Sequence, residues 1–358
     1  MPSPVLLRDG GTARNVGLRL GLSLSLLTGR PLRLMGLVDD SLKPRPGLGP
    51  GGLTVANAAS AVGRGRVKAE LGLGELEFIP DGPPRPGDYH FDVAQLSPSP
   101  APYAPILEML ALPLSVAAGA SSLILRGASH SAVAPISEEI SAVLLPNWRA
   151  LGLEMSYSEI APGFFPLGNG EAEVTVRPAK ALRPLKAEET FHPRRVGVEV
   201  VSSQLPVHMA EQALQGALDR LSLHGLEATG NLRRARGGKG QALLVWAGDG
   251  LLRVGFATLG KRGARPEALA LEAVEALIHF LRSNAAMLTG LAARLLLPLA
   301  CASGQSIFTA SGPPKPLAAA ANVINAFWPA TVRLSQPRDT APLEVRVSGR
   351  DWGRALPG

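Results

Sequence analysis

Apolar and polar positions along this chain of 358 residues fall into a recurring rhythm of one helix followed by strands. Apolar residues recur at helical spacing over 16–27 and stop at Thr28-Gly29, after which 31–34 alternates like a strand. The rhythm returns over 53–62 with strands at 67–71 and 75–79, and over 103–118 with a strand at 122–126. It returns again over 137–151, with strands at 154–160 and 172–176. A helix with paired strands thus repeats in pattern but not in sequence, which predicts an α+β chain made of several similar packed units.

Between about 184 and 263 the pattern changes. A strand is predicted over 196–201, a helix over 210–223, and a hairpin of 242–246 and 251–256 around Asp249-Gly250. This predicts a small α/β domain, 184–263, inserted between 1–183 and 264–358 of a large one. The insert carries a basic stretch, Arg233, Arg234, Arg236 and Lys239, which the intervening glycines make a loop. Helices are predicted over 266–281, opened by Pro266, and over 287–300; a Gly/Pro-rich loop and a helix over 318–327 follow, with closing strands at 331–334 and 343–347.

Composition narrows this picture. Hydrophobic residues make up 46% but aromatics only 4%, with 40 Gly and 32 Pro, so the core is built of Leu, Val, Ala and Ile between many turns. The net charge of +7 and the pI near 10.0 come mostly from arginine, whose planar fork pairs with phosphate. That points to a polyanionic partner, although genomic base composition produces the same balance. A single cysteine, Cys301, rules out an intramolecular disulfide framework and a Cys-rich metal site, and fits the cytoplasm. The start Met1-Pro2-Ser3-Pro4 has no charged n-region before an apolar run, so no secretory signal is expected. The apolar stretches 107–125 and 288–302 are broken by Glu108 and Pro113 or by Arg294 and Pro298, so no membrane span is expected.

Several motifs, in order, resemble the RNA 3'-terminal phosphate cyclase family. Leu18-Arg19 through Thr28-Gly29-Arg30-Pro31 resembles its first helix and Thr-Gly-Lys-Pro exit, and Pro46-Gly47-Leu48 its Pro-Gly-Leu turn. Phe78-Ile79-Pro80 with Phe91-Asp92, and Gly127-Ala128-Ser129-His130 with Ala134-Pro135, match further segments. Gly163-Phe164-Phe165-Pro166-Leu167-Gly168-Asn169-Gly170-Glu171 resembles its Gly-Phe-Tyr-Pro-Arg-Gly-Gly-Gly-Glu signature, and Leu259-Gly260-Lys261-Arg262-Gly263 the exit from its insert. The resemblance implies a large domain of βαβαββ-like units, as in enolpyruvyl transferases, with a small inserted α/β domain. It also implies ATP-dependent closure of an RNA 3'-phosphate to a 2',3'-cyclic end, through AMP carried first on a histidine and then on the RNA phosphate.

That chemistry needs a nitrogen nucleophile, a carboxylate for magnesium and cations for phosphate. The family's nucleophilic histidine falls near Pro316, in Gly312-Pro313-Pro314-Lys315-Pro316-Leu317, and no histidine follows His279. Lys315 is the remaining nitrogen there, as a relocated nucleophile or as an ordinary surface lysine. The family's first-loop Glu-Gly-Gly-Gly-Gln reads Thr12-Ala13-Arg14-Asn15-Val16, its paired arginines read Asp40 and Lys43, and its late-helix Asp-Gln reads Ala293-Arg294. Its Gln-His is Gly51-Gly52, and its Gly-Thr-Ala-Gly-Ser is Ala94-Gln95-Leu96-Ser97-Pro98.

The remaining candidates for a phosphate-facing cleft are Arg19, Lys43, Arg45, Asp92, His130 and Arg294. An intradomain ion pair is the other reading of Arg19, and a hydrogen-bonded strand-end residue the other reading of His130. Asp92 alone is a poor metal site, and no metal site is predicted. Arg233, Arg234, Arg236 and Lys239 are candidate RNA-backbone contacts or a solvated loop. The sequence therefore predicts a catalytically degenerate cyclase-like protein, with RNA or an RNA-processing protein as partner and no cofactor. The alternative is an active cyclase using ATP and magnesium through a relocated nucleophile. An enolpyruvyl transferase, which needs Lys and Arg from both halves of a cleft, lacks a matching motif.

Overall fold

A computed structural model of the chain describes residues 3–8, 15–39, 45–95, 101–164, 167–336, 338 and 341–351. Its first unit runs β1 (Val5–Arg8), α1 (Val16–Thr28), β2 (Leu32–Met35), α2 (Pro50–Gly63), β3 (Arg66–Ala69), β4 (Glu75–Ile79). β1 lies parallel to β2, and β4 pairs antiparallel with β2 and β3, giving the order β1-β2-β4-β3. α1 stops where Gly29 turns to φ 67 and its N–H closes on Ser25 O, a left-handed cap that glycine adopts without a Cβ clash.

The second unit repeats this plan with β5 (Asp88–Asp92), α3 (Ala104–Ser115), β6 (Ser121–Gly127), α4 (Ser137–Glu139), α5 (Leu145–Ala150), β7 (Glu154–Ala161) and β8 (Gly170–Arg177). α4 and α5 are continuous through a π-helical turn, Ile140–Leu144. Two residues beyond it, Pro146 has no N–H to offer the Ala142 carbonyl, which accepts instead from Arg253 Nη1 at 3.1 Å. The sheet order, β5-β6-β8-β7, matches the first.

After β9 (Lys186–Ala187) come β10 (Arg195–Ser203), α6 (Val207–Leu223), β11 (Ala228–Ala235), β12 (Gly240–Gly248), β13 (Arg253–Leu259) and α7 (Pro266–Leu281). These strands form a separate sheet ordered β11-β10-β12-β13, with α6 packed on β10 and β11 and α7 on β12 and β13. The basic stretch read as a loop is therefore partly strand: β11 contains Arg233 and Arg234, pairing in parallel with β10.

The third unit comprises β14 (Met287–Leu288), α8 (Thr289–Cys301), β15 (Gln305–Ser311), α9 (Lys315–Phe327), β16 (Val332–Ser335) and β17 (Leu343–Ser348). Its order, β14-β15-β17-β16, again matches the first, with β9 added beside β15. Two expectations are corrected here. The Gly/Pro-rich loop after α8 contains β15, and α9 starts at Lys315, with Pro316 in its first turn where a ring without an N–H costs nothing.

The βαβαββ units bring their helices together: α1 packs on α2, α3 and α9, while α8 packs on α3 and α9. Leu22, Leu24, Leu26, Met109, Leu110, Leu295 and Leu296 are fully or almost fully buried there. Each such side chain contributes about 1.5–3 kcal/mol by leaving water. α1 and α3 are also tied by Ser23 Oγ donating to Met109 O at 2.5 Å. No helix among the described residues is long and apolar enough to cross a membrane.

Candidate functional site

α1, α3 and α8 are the first helices of the three units, and their N-terminal turns converge on one cleft of about 310 Å³. Val16, Arg19 and Leu20 of α1, Pro105 and Glu108 of α3, Gly290, Ala293 and Arg294 of α8, and Pro316 of α9 line it. Val133-Ala134-Pro135, after β6, and Trp148 of α5 complete its walls. The N-terminal end of a helix dipole carries partial positive charge, which favours an anion here, although Pro105 and Pro316 offer no N–H of their own.

The charged centre of the cleft takes one residue from each first helix. Glu108 Oε2 lies 2.9 Å from Arg19 Nε, and Glu108 Oε1 accepts from Arg294 Nε at 2.7 Å. Arg294 Nη1 also donates to Gly290 O at 3.1 Å, within its own helix. Burial opposes ionisation of Glu108, but Arg294 and then Arg19 outweigh it and hold the carboxyl below its ordinary range. Arg294 is also raised, its own burial being overcome by Glu108 and Glu139. Two guanidiniums share the Glu108 carboxylate, and a second carboxyl, Glu139, lies within charge range of Arg294. None of the described residues lining the cleft is a histidine, lysine or cysteine.

His130 lies elsewhere, buried between β6 and the loop that follows β7. Its Nε2 donates to Glu138 Oε2 at 2.8 Å, since a carboxylate only accepts. Its Nδ1 lies 2.8 Å from Ser129 Oγ, which accepts from Gly163 N–H at 2.8 Å, and its ring stacks on Phe164 with centroids 4.3 Å apart. Glu138 and Glu159 both accept from Arg233 of β11. Burial works against the Glu138 charge, yet His130 and Arg233 hold its carboxyl down to about 2.

His130, Glu138 and Glu159 bring three ligand atoms within 4.8 Å of one another, a geometry that a cation accepts. The Arg233 guanidinium already supplies the positive charge to both carboxylates, so the cluster is a closed joint between β11 and the second unit. Phe164 completes that joint by packing with Ile136, Val201 and Ala242.

Arg19 and Arg294 thus stand in the cleft, paired through Glu108, with Pro316 beside them. Arg45 is exposed near the Pro46 turn, and Asp92 Oδ1 accepts the Ala94 N–H at 2.8 Å; neither lines the cleft. Lys43, Asp40, Thr12-Ala13-Arg14 and Leu96-Ser97-Pro98 lie outside the described residues. Arg233 is turned inward to its two carboxylates, whereas Arg234, Arg236 and Lys239 are exposed. Lys315, at the start of α9, is exposed and does not line the cleft. Glu108 was not foreseen as a site residue. Its signal is a lone acid inside an apolar helix, which a buried position tolerates only with a cationic partner.

The sequence pattern of the RNA 3'-terminal phosphate cyclase family matches residues 10–334. A protein of Salmonella agona (strain SL483) named RNA 3'-terminal phosphate cyclase is 31% identical over 354 residues, spanning 98% of this chain and 99% of its own length. One of the same name from Methylococcus capsulatus is 33% identical over 354 residues, covering 96% and 97%. Another, from Pseudomonas fluorescens, is 33% identical over 347 residues, covering 97% and 98%.

Proposed function

The chain belongs to the RNA 3'-terminal phosphate cyclase family, and from that premise we propose that it holds a phosphate-terminated RNA end without adenylating it. One observation carries this reading. The cleft presents Arg19, Arg294 and the first turns of α1 and α8 to an anion, while Pro316 stands where the resemblance puts the nucleophile.

A phosphate entering this cleft meets guanidinium N–H groups suited to its oxygens. Glu108 lowers the affinity by competing for the same guanidiniums, and it also keeps them aligned when the cleft holds no anion. ATP and magnesium do not fit this set. Glu108 gives each carboxylate oxygen to an arginine, which leaves no lone carboxylate in the described lining to hold a cation. Among the same residues no imidazole, amine or thiol faces the space to accept AMP. Pro316 offers only ring carbons.

A single RNA, prepared with a 3'-phosphate or a 3'-hydroxyl and titrated by fluorescence anisotropy, tests the reading. The phosphate end is expected to bind about five-fold tighter, the equivalent of roughly 1 kcal/mol. Arg294→Gln is expected to abolish that preference. After incubation with ATP and magnesium the end is expected to remain a monoester that phosphatase removes. An end that becomes phosphatase-resistant contradicts the proposal and supports an active cyclase with a nucleophile from outside the described lining.

A further inference from the structure

On the other side of α5 from the cleft is a second pocket, of about 380 Å³, between α5 and the sheet of β10, β12 and β13. Trp148 of α5 lines the first cleft, whereas Pro146, Asn147 and Ala150 line this one. The opposite wall is Arg194, Arg195, Trp246, Arg253 and the β12–β13 turn. Arg149, the remaining residue of this stretch of α5, adds its charge to that of Arg195 at Arg253. Three arginines thus line the hollow, with a fourth within charge range of Arg253.

Their surroundings supply almost no compensation. None of the four forms an ion pair with a described Asp or Glu, in contrast to Arg19, Arg220, Arg233 and Arg294. Burial, Arg195 and Arg149 together hold the Arg253 guanidinium below its ordinary value. No acid raises the Arg253 guanidinium, and the two carboxylates in this part of the sheet hydrogen-bond to neutral donors. Asp249 Oδ1 accepts the N–H groups of Leu251 and Leu252 at 2.8 and 2.7 Å, and Glu199 accepts from Asn231 at 2.8 Å and from Trp246 Nε1 at 3.4 Å.

The pocket is also rigidly built. Asn147 brackets Arg253 by donating to its carbonyl at 2.8 Å and accepting from its N–H at 3.0 Å. The Arg253 guanidinium lies over the Trp246 ring, 4.7 Å from the centroid, with Nη1 fixed on Ala142 O. Holding one cation in place beside three exposed ones repels like charge, and an anion seated among them relieves that repulsion.

We propose that this pocket binds phosphate groups, with Arg253 as the fixed contact and Arg149, Arg194 and Arg195 closing on the ligand from solvent. Phosphodiesters of an RNA strand and a free phosphate share the chemistry, and the test separates them. The site is distinct from the cleft and takes internal phosphates, so it does not depend on recognition of a 3'-phosphate end.

The first arm titrates the full chain with a labelled single-stranded RNA ending in a 3'-hydroxyl, at several KCl concentrations. Arg194→Glu with Arg195→Glu is expected to weaken binding at least ten-fold and to make the log–log salt slope shallower by about two. Arg195→Ala, which only truncates an exposed side chain, is expected to reduce the slope by about one. A matched reversal on β3, Arg66→Glu with Lys68→Glu, controls for net charge and is expected to change affinity less than about three-fold. The second arm titrates inorganic phosphate and follows tryptophan fluorescence, with Trp246→Phe identifying the reporting ring. A response in the first arm establishes the site with RNA as its ligand, and one in the second arm alone establishes it with a free phosphate. Arginine variants that match the control in the first arm, together with no Trp246-dependent change in the second, overturn it.

Discussion

Glu108 sets the energetics of the cleft, because its carboxylate is the common partner of two largely buried guanidiniums. Glu108→Gln keeps the shape but removes the carboxylate that lies between the two cations. The expected loss is about 2–3 kcal/mol in urea unfolding, below the usual cost of a broken buried pair because water still reaches the arginines. The same variant is expected to bind a 3'-phosphate RNA more tightly, since the internal competitor for the guanidiniums is gone. Lower stability with higher anion affinity separates a ligand-facing triad from one that is only structural. Glu138 provides the pH test. Its folded-state value of about 2 lies below the ordinary 4.5, so the unfolded chain takes up a proton that the folded chain refuses. The stabilisation is complete above about pH 5 and is lost as pH falls toward 2, on the order of 3 kcal/mol in all. Glu138→Gln is expected to flatten this acid limb in unfolding curves taken from pH 6 to pH 3.

At the scale of elements, helices were the more legible part of the sequence and strands the less. The 16–27 and 266–281 stretches show apolar residues at helical spacing with Gly or Pro at an end, and α1 and α7 follow them closely. β11 escapes the pattern because it is an edge strand, held by pairing with β10 alone and carrying Asn231 and Arg234 at exposed positions. Its hydrogen bonds leave no hydrophobic alternation to read. β15 does alternate, with Ser306, Phe308 and Ala310 buried, but it lies between Gly304 and Gly312-Pro313, whose turn signal dominates the segment. The signature loop around Gly163-Phe164 serves as a joint in this structure. A Cβ on Gly240 would sit 2.2 Å from the Phe164 ring. Gly240→Ala is therefore expected to cost about 1–3 kcal/mol by overpacking, measured as a lower thermal midpoint.

In the whole molecule, the small sheet is fastened to the second unit by Asn147 on one side and Arg233 on the other. Arg233→Ala strands two buried carboxylates, so faster hydrogen exchange is expected in β10–β12, with the third unit unchanged. The cleft was partly legible as well. Arg19, Arg294 and Pro316 came from motif positions, but Glu108, which organises them, came from another helix and carried no motif. His130 has neighbours that match a family segment, but its side chain turns to Glu138, eight residues on, and to Glu159, and Arg233, distant in sequence, closes on those two carboxylates. Without an AMP acceptor in the described lining of this cleft, no adenylate can form there. Incubating the full chain with magnesium and ATP labelled in the α-phosphate, then counting label that stays with denatured protein, tests that most directly. No retained label is expected with or without RNA, whereas stoichiometric label mapped to Lys315 or to any histidine contradicts it.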